Sequence, residues 1–418
     1  MSNSKIDRTN YQMIDRCLAC NSANLLLYLD LGLQALANDF KANIEDMPDF
    51  PLALNLCQEC YHSQLTVSVE PEILFSNYLY VSGTSTTLYE YFGWFTDNLI
   101  TTHGQNLNVL DLASNDGSFL KVVKAKGHTV LGIDPAANLV SAAAENGVTT
   151  ICEFWPGVSS TLLAKKFDVV VGMNVLAHVP DPRVFLEEIK RVLTDSGRII
   201  IQTSQAKMFV NGEFDTAYHE HLSFFNTKSM AALAKRSGLE LTDAFHTPIH
   251  GTSYVWVFST ENNPQSQRLQ NLEEEENLLG LFDKETYRQF SIKAKEKSND
   301  VQKIVAKLRD IGYSFWGYGA AAKGNTFINF SGLKLDGMID DNPLKQNLLS
   351  PGGGVKVHSN SILRELPPRT CFILPAWNFK NEIRQKLYNE RGEKQDIILT
   401  YFPDVRIEKL DGSSFELL

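Results

Sequence analysis

The sequence contains no uninterrupted apolar run that approaches the roughly 20 residues of a membrane-spanning helix. The opening residues, MSNSKIDRTNYQ, also lack the apolar core of a secretory signal. These two absences argue against a membrane-inserted or secreted protein. They predict a cytoplasmic protein with no membrane partner.

Positive charge and cysteine are also scarce. The 418 residues carry a formal net charge of −10, whereas proteins that bind duplex nucleic acid usually present a basic face. Six cysteines are too few for a disulfide scaffold in a chain of this length. We therefore expect no nucleic-acid partner and no disulfide framework.

The overall composition is that of an ordinary folded protein, with 43% hydrophobic and 21% charged residues. The length predicts two to four domains. Changes of pattern along the chain place domains at 1–66, 67–260 and 307–418, with a helical linker at 261–306. A monomer or a small homo-oligomer is expected.

Four of the six cysteines are paired by spacing in the first of these domains, as Cys17-Leu-Ala-Cys20 and Cys57-Gln-Glu-Cys60. A gap of two residues lets both thiolates of a pair reach one tetrahedral ion. The sequence between the pairs is too small to bury a core alone, and a zinc ion would supply the missing stability. With four cysteine ligands the ion has no open position, which predicts a structural zinc. The alternative is four unrelated free cysteines.

The second domain alternates short apolar runs with helical patterns. The runs are NVLDLA (108–113), HTVLGID (128–134), FDVVVGMN (167–174) and GRIIIQTS (197–204). Apolar runs of this length joined by helices predict an α/β fold with a parallel sheet covered on both faces. Ligands bind such sheets beyond the carboxyl ends of the strands.

The rest of the chain contains a helical region and a second α/β unit. An acidic run, Glu273 to Glu276, is predicted to be a solvated helix face. A helix that follows has apolar residues at the spacing of one face, namely Val301, Ile304, Val305, Leu308 and Ile311. YSFWGYGAAAKGN (313–325) reads as a strand, a glycine turn and a helix start, and begins a smaller Rossmann-like domain.

Polar residues follow the strands of the first sheet in an order that suits a nucleoside cofactor. The predicted cofactor residues are Asp111, Ala113, Asn115, Gly117, Asp134, Phe154, Met173 and Asn174. A carboxylate at the end of the second strand can accept both ribose hydroxyls, and a glycine turn lets the backbone approach a ligand. Taken singly, Asp134 could cap a helix and Gly117 could serve a turn. The turn lacks the three glycines of a dinucleotide fingerprint, which disfavours a nicotinamide cofactor.

The ordered set resembles the class I S-adenosylmethionine-dependent methyltransferases. The paired CxxC motifs are followed in order by LDLASNDGSFL, GIDPAAN, NVLAHVPD, FDTAYHEHLSFF, GYGAAAKGNTFINF, IDDNPLKQ and PAWNF. This series resembles the sugar C-methyltransferase family of branched deoxysugar biosynthesis from Cys17 to beyond Phe379. The resemblance implies three parts: a zinc-binding N-terminal domain, a class I methyltransferase domain and a C-terminal Rossmann-like domain.

The resemblance also implies a reaction. The cofactor would be S-adenosylmethionine, and the substrate a 4-keto deoxyhexose linked to a dTDP, GDP or CDP nucleotide and methylated at C-3. By match to the family, His221 is the base that forms the enolate, Glu220 orients His221 or tunes its neighbourhood, and Tyr218 contacts the sugar. His178, in NVLAHVP, would stabilise the enolate. A histidine suits the role of base because its unperturbed pKa near 6.5 leaves it neutral at working pH.

Other residues are predicted to hold the substrate. Tyr78 and Tyr80 stand beside the small polar run VSGTSTT, and Lys323 and Asn325 follow the glycine turn of the last domain. Two departures from the family pattern concern Ala113, where such turns usually have glycine, and HGTSYVW (250–256), where we expect a run that includes arginine. The second departure leaves the sugar open.

Several alternatives remain at the level of the sequence. The enzyme could be an N- or O-methyltransferase acting on a nucleotide-linked sugar, which needs deprotonation of a heteroatom only. His219, Glu220 and His221 could instead bind a metal ion. The same segment could be a loop held by its own hydrogen bonds, the glycine turn could bind nothing, and the whole chain could be a non-catalytic scaffold.

Overall fold

The computed structural model describes residues 10–43, 47–75, 82–84, 86–158, 162, 164–204, 207–392 and 394–416. Within these residues, no helix is both long enough and apolar enough to cross a membrane. The predicted substrate residues Tyr78 and Tyr80 lie outside the described residues.

The N-terminal part is built from short antiparallel strands. They are β1 (Tyr11–Met13), β2 (Leu25–Ala35), β3 (Asp49–Cys57), β4 (Ser63–Leu65) and β5 (Val67–Val69). Strands β2, β3 and β4 form one sheet, and β1 pairs with β5. The sheet does not bury a core alone: Leu29, Leu54 and Leu65 pack in one cluster with Phe214 and Phe327, which come from the two later parts of the chain.

The middle part is a seven-stranded sheet with helices on both faces. Its strands are β6 (Asn108–Leu112), β7 (Thr129–Ile133), β8 (Thr150–Ile151), β9 (Phe167–Met173), β10 (Leu193–Thr203), β12 (Glu240–Thr247) and β13 (Ser253–Ser259), and β11 (Ser223–Phe224) lies apart from it. The associated helices are α1 (Pro71–Phe75), α2 (Thr86–Phe95), α3 (Ser118–Ala125), α4 (Ala137–Glu145), α5 (Pro182–Val192), α6 (Met208–Asn211) and α7 (Thr227–Arg236). Short helical turns accompany them at Ser82–Thr84, Thr96–Ile100, Thr101–His103, Leu176–His178, Phe214–Thr216 and Ile249–Gly251.

The four predicted strands are confirmed, and β6 to β10 run parallel in the order β10-β9-β6-β7-β8. The sheet continues beyond β10 with the antiparallel strands β13 and β12. These two strands were not predicted from the sequence. A short turn joins these two strands, so an antiparallel hairpin is the pairing that needs no crossover. The strand order reverses direction next to β6, and such a switch point opens a crevice at the carboxyl ends of the strands.

The small strand β11 links the middle part to the N-terminal sheet. It pairs antiparallel with β4, so the N-terminal sheet has the order β11-β4-β3-β2. The chain segment that precedes β11 therefore leaves the seven-stranded sheet, passes its crevice and joins the N-terminal sheet.

Two helices connect the middle and last parts, α8 (Gln267–Leu278) and α9 (Lys284–Asp310). The predicted apolar face of α9 is buried through Val301, Val305 and Leu308, whereas Ile311 follows the helix and is exposed. The prediction of a solvated acidic face is wrong for Glu276. Its carboxylate is buried and accepts hydrogen bonds from Tyr254 and from the amide and hydroxyl of Thr227, because α8 packs against the sheet.

The C-terminal part is a second, smaller α/β domain, as predicted. Its strands are β14 (Ser314–Tyr318), β15 (Gly337–Ile339), β16 (Val357–His358), β17 (Thr370–Ile373), β18 (Ile397–Thr400) and β19 (Arg406–Lys409). They form one sheet in the order β16-β15-β14-β17-β18-β19, parallel except for β19. Its helices are α10 (Ala322–Phe330) and α11 (Lys380–Arg391), with shorter helical turns at Asn360–Arg364 and Trp377–Phe379.

Candidate active site

A cavity of about 590 Å³ lies beyond the carboxyl ends of β6, β7 and β9. Its walls come from the turns of the seven-stranded sheet, from the segment before β11 and from the C-terminal domain. Of the eight predicted cofactor residues, all except Gly117 line the cavity. The predicted catalytic residues His178, Tyr218 and His221 line the same space.

The turn after β6 has three residues with left-handed backbone. The φ angles of Ala113, Asn115 and Gly117 are 59°, 52° and 72°. Asparagine and glycine adopt this conformation readily, whereas for alanine it costs roughly 1–2 kcal/mol. The turn is therefore strained at Ala113, the position where this sequence departs from the usual glycine.

Gly117 belongs to this turn but does not line the cavity. A Cβ atom at this position would lie 3.1 Å from the Cβ atoms of both Ala143 and Val148. The glycine thus lets α4 and the loop after it pack closely against the turn. It shapes the site from behind.

Two buried carboxylates face each other across the turn. Asp134 accepts hydrogen bonds from the amides of Asn115 and Ala136, both at 2.9 Å, so it holds the turn after β6 as well as the start of α4. Atom Oδ1 of Asp111 is buried without a hydrogen-bond partner among the described residues. Burial, reinforced by the nearby charge of Asp134, raises the pKa of Asp111 well above that of an ordinary carboxyl. Such a site favours a ligand that is cationic or donates hydrogen bonds.

Phe154, Met173 and Asn174 also line the cavity. Gln202, at the end of β10, also lines the cavity and was not predicted. Its side-chain oxygen accepts a hydrogen bond of 2.5 Å from the hydroxyl of Tyr91. The strand end that carries Gln202 was predicted correctly, but the sequence holds no motif that marks this residue.

His221 is held in one orientation by its own segment. Its Nδ1 atom lies 2.8 Å from the carbonyl oxygen of Thr216, so Nδ1 carries the proton and Nε2 has the lone pair. The hydroxyl of Tyr218 lies 3.0 Å from Nε2 and therefore donates to it. Burial lowers the pKa of His221 well below its usual value, and the neighbouring His178 lowers it further. The ring is a neutral hydrogen-bond acceptor at the cavity wall.

His178 lies beside this pair, with 5.0 Å between the ring centroids of His178 and His221. Its Nδ1 atom is buried and has no partner among the described residues. Burial lowers the pKa of His178 to about 4, so this ring is also neutral. Burial raises the pKa of Tyr218 well above 10, and the phenol remains a proton donor.

The other two residues of the YHEH sequence point away from the cavity. Atom Nε2 of His219 lies 3.1 Å from the carbonyl oxygen of Pro51. The carboxylate of Glu220 accepts a hydrogen bond of 2.6 Å from the side-chain amide of Asn38. Both contacts are with the N-terminal part of the chain. Among the described residues, the four cysteines are the only group of three or more potential ligands gathered closely enough for a metal ion, so the proposed histidine–glutamate metal site receives no support.

The C-terminal domain contributes Lys323 to the lining of the cavity. Its ammonium lies 5.0 Å from the ring centroid of Trp377 and 3.9 Å from the carboxylate of Glu213. Glu213 is buried and lines the cavity, but it was not predicted. It directly precedes the FDTAYHEHLSFF motif, which begins at Phe214. Asn325 does not line the cavity, and its side-chain amide donates to the carbonyl oxygen of Ala37 at 2.8 Å.

Known families match all three parts of the chain. The family "Putative zinc binding domain" matches residues 17–75, "Methyltransferase domain" matches 87–244, and "C-methyltransferase C-terminal domain" matches 248–403. C-methyltransferase NovU of Streptomyces niveus is 27% identical over 396 residues, which cover 91% of this chain and 94% of that protein. The chain is an S-adenosylmethionine-dependent C-methyltransferase.

Two further matches cover smaller shares of the chain. A ubiquinone biosynthesis O-methyltransferase of Cereibacter sphaeroides is 24% identical over 173 residues, covering 38% of this chain and 70% of that protein. The solved structure of the PH0226 protein of Pyrococcus horikoshii OT3 covers 44% of this chain and 95% of its own, with 18% identity and a TM-score of 0.35. At that score the likeness adds nothing to the matches of the families.

The buried carboxylates fit the cofactor of this C-methyltransferase. S-adenosylmethionine carries a sulfonium, an amino group and two ribose hydroxyls. The unpartnered oxygen of Asp111 suits a cationic donor, and Asp134 lines the cavity at the end of β7, where a ribose is expected.

The four cysteines fit a structural zinc ion. The Sγ atoms of Cys17 and Cys60 are 3.6 Å apart, and those of Cys20 and Cys57 are 3.5 Å apart. A tetrahedral ion with zinc–sulfur bonds near 2.3 Å separates its ligands by about 3.8 Å. All four ligand atoms lie within 4.8 Å of one another, as expected for a closed site.

Proposed function

We propose that this C-methyltransferase acts on C-3 of a 4-keto deoxyhexose linked to a nucleoside diphosphate, with His221 as the base. The observation that carries the proposal is the orientation of His221. The Thr216 carbonyl holds the proton on Nδ1, which leaves Nε2 as an acceptor at the wall of the cofactor cavity.

A carbon next to a ketone can be methylated only after it loses a proton. Atom Nε2 of His221 takes the C-3 proton, the C–H bond breaks, and its electron pair moves into the enolate. The enolate carbon then forms a bond to a methyl group. Bound S-adenosylmethionine supplies that methyl group from a sulfonium, whose bonding electrons remain on sulfur.

The low pKa of His221 is compatible with this step. The free enzyme keeps a neutral acceptor because burial disfavours a charge on the ring, and His178 and Lys323 add to this effect. When the proton moves, an imidazolium and an enolate arise together, and their attraction offsets the cost of charging a buried ring. Positioned proton transfer contributes about 10²- to 10⁴-fold to the rate.

Tyr218 and His178 are the residues available to steady the enolate oxygen. Tyr218 remains protonated, and its hydroxyl can turn from Nε2 of His221 to the substrate oxygen, which frees the lone pair of Nε2 for the C-3 proton. His178 lines the cavity beside it. Preorganised donors of this kind are typically worth about 10²- to 10³-fold.

Lys323 and Glu213 lie 3.9 Å apart and give the lining of the cavity both signs of charge. We assign Lys323 to the diphosphate, because an ammonium suits phosphate oxygens. Glu213 would accept hydrogen bonds from hydroxyl groups of the sugar. Tyr78 and Tyr80 remain proposed substrate residues on the strength of their sequence alone.

The test is incubation with S-adenosylmethionine and a panel of dTDP-, GDP- and CDP-linked 4-keto sugars, followed by mass spectrometry and NMR of the product. The proposal requires a new methyl group bonded to C-3. A methyl group on oxygen or nitrogen would instead establish the N- or O-methyltransferase alternative.

A further inference from the structure

The segment from Phe214 to Phe225 is attached to a different domain at each end. At its start, the carboxylate of Asp215 accepts hydrogen bonds from the indole of Trp377 at 3.0 Å and the hydroxyl of Tyr401 at 3.1 Å. At its end, the carbonyl of Leu222 accepts from the amide of Leu65 at 3.0 Å, and β11 pairs with β4. Three of the four predicted catalytic residues, Tyr218, Glu220 and His221, therefore lie on a bridge between the two terminal domains.

Within this bridge, the side chains of the YHEH sequence point in two directions. Tyr218 and His221 line the cavity. His219 and Glu220 lie between them in sequence, and both contact the N-terminal domain, at Pro51 and Asn38. The amide of His221 donates to the carbonyl of Tyr218 at 2.8 Å, which closes the four residues into one turn.

Asn38 belongs to a stretch that is itself held. The carbonyl of the preceding residue, Ala37, accepts a hydrogen bond from Asn325 of α10. The amide that reaches Glu220 therefore projects from backbone anchored to the C-terminal domain. Because four residues in one turn move together, a displacement of Glu220 also rotates the two side chains that face the cavity.

We propose that Asn38, in the zinc-binding part of the chain, is a positioning residue for proton transfer at His221. It acts through Glu220, which holds the turn in the orientation that presents Tyr218 and His221 to the substrate. This inference rests on the proposed function of His221. It also gives Glu220 a role that requires no contact with the sugar.

The test compares Asn38→Ala and Asn38→Asp with Asn24→Ala as the matched control. Asn24 lies in the same domain and its amide also donates to a glutamate, Glu59, but both are exposed and far from the bridge in sequence. We expect kcat to fall by about tenfold to a hundredfold in Asn38→Ala, as for an active-site displacement near 1 Å. KM should stay within about twofold, which marks a loss specific to the transition state. Asn38→Asp should lose more because it places two carboxylates together.

A reversed pair separates positioning from a merely structural effect. In the double variant Asn38→Asp with Glu220→Gln, the donor and the acceptor exchange places and the hydrogen bond is restored. Turnover should recover most of what Asn38→Asp loses. If Glu220 acts on substrate as a carboxylate, the double variant stays inactive and the proposal is wrong.

A spectroscopic measurement tests the inference without any substrate. Nitrogen-15 NMR of histidine-labelled full-length protein reports the Nδ1 proton that His221 donates to Thr216. We expect this proton to exchange with water faster in Asn38→Ala than in the wild type or Asn24→Ala. Unchanged exchange together with unchanged kcat would overturn the proposal. Faster exchange in an enzyme shown not to use His221 as its base would instead overturn the proposed function and leave Asn38 only the role of ordering the turn.

Discussion

The hydroxyl of Tyr218 lies 3.0 Å from Nε2 of His221, the nitrogen proposed to accept the substrate proton. The two residues are three positions apart, and their ring centroids are separated by 4.1 Å. Since Nδ1 of the same imidazole donates to Thr216, the phenol is the donor of this hydrogen bond. The pair therefore consists of a proton acceptor and a proton donor that can both face one ketone.

The first prediction concerns this pair. Tyr218→Phe removes the phenolic donor but keeps the ring, so His221 remains in place while the enolate loses one hydrogen bond. We expect kcat/KM to fall by about 10²-fold, the usual cost of one oxyanion donor. Steady-state kinetics at saturating cofactor measures this, with Tyr388→Phe as the control because Tyr388 is exposed on α11. Equal losses in both variants would show that Tyr218 does not stabilise the enolate.

The second prediction is a pH dependence. His221 must be unprotonated to act, and its pKa in the folded protein lies well below 6.5. Lowering the pH through 6.5 should therefore leave kcat/KM nearly level, and the acid limb of the profile should appear only at lower pH. Circular dichroism across the same range controls for unfolding. A half-maximal loss between pH 6.5 and 7 in a protein that stays folded would mean that another group is the base.

The third prediction tests the cofactor site. Asp134→Ala should weaken S-adenosylmethionine binding by on the order of 1.5–3 kcal/mol, as expected for a charge-assisted hydrogen bond to the ribose. The loss of two backbone contacts at Asn115 and Ala136 adds to the effect. Isothermal titration calorimetry provides the measurement, and Asp195→Ala on an exposed part of β10 is the control. Unchanged affinity in Asp134→Ala would show that another residue binds the ribose.

The sequence predicted that Asp111, Asn115 and Asp134 lie at one edge of the sheet, because that placement depends on local geometry. The three residues lie at or near the ends of strands with clear apolar runs, and the carboxyl ends of neighbouring parallel strands meet at one edge. Their contacts with the cofactor remain predictions. The orientation of His219 and Glu220 could not be predicted, because it depends on Pro51 and Asn38, which are 168 and 182 residues away.

The contacts of two other residues between parts of the chain could not be predicted for the same reason. Asn325 follows a glycine turn typical of phosphate binding. Its side-chain amide, however, donates a hydrogen bond to the carbonyl oxygen of Ala37, 288 residues earlier in the chain. Glu276 lies in an acidic run typical of a solvated surface. Because α8 packs against the sheet, however, its carboxylate is buried and accepts a hydrogen bond from Tyr254. Burial there raises the pKa of Glu276 to about 7. Only the packing of the parts distinguishes such residues from their exposed neighbours.

The fourth prediction concerns the zinc ion. Changing Cys17 and Cys57 to serine should lower the thermal stability of the N-terminal domain and leave S-adenosylmethionine affinity largely intact, because the cysteines lie outside the cofactor cavity. Elemental analysis should find one zinc ion per wild-type chain and less than one in the variant. Two ions per chain would revive the histidine–glutamate metal site, and a zinc-free active protein would refute the cysteine site.

The central claim is that His221 removes a proton from carbon. Replacement by asparagine in His221→Asn should preserve the affinity for cofactor and nucleotide sugar while lowering turnover by about 10²- to 10⁴-fold. Turnover alone does not identify the step that is lost, so the proton has to be followed separately from the methyl group.

Proton exchange at C-3 measures that step directly. In heavy water with the demethylated cofactor, S-adenosylhomocysteine, no methyl transfer takes place, but a 4-keto sugar can still lose its C-3 proton. NMR should show that wild-type enzyme replaces this proton with deuterium and that His221→Asn does not. Deuterium incorporation at the wild-type rate in His221→Asn would contradict the account and would point to His178 or a tyrosine as the base.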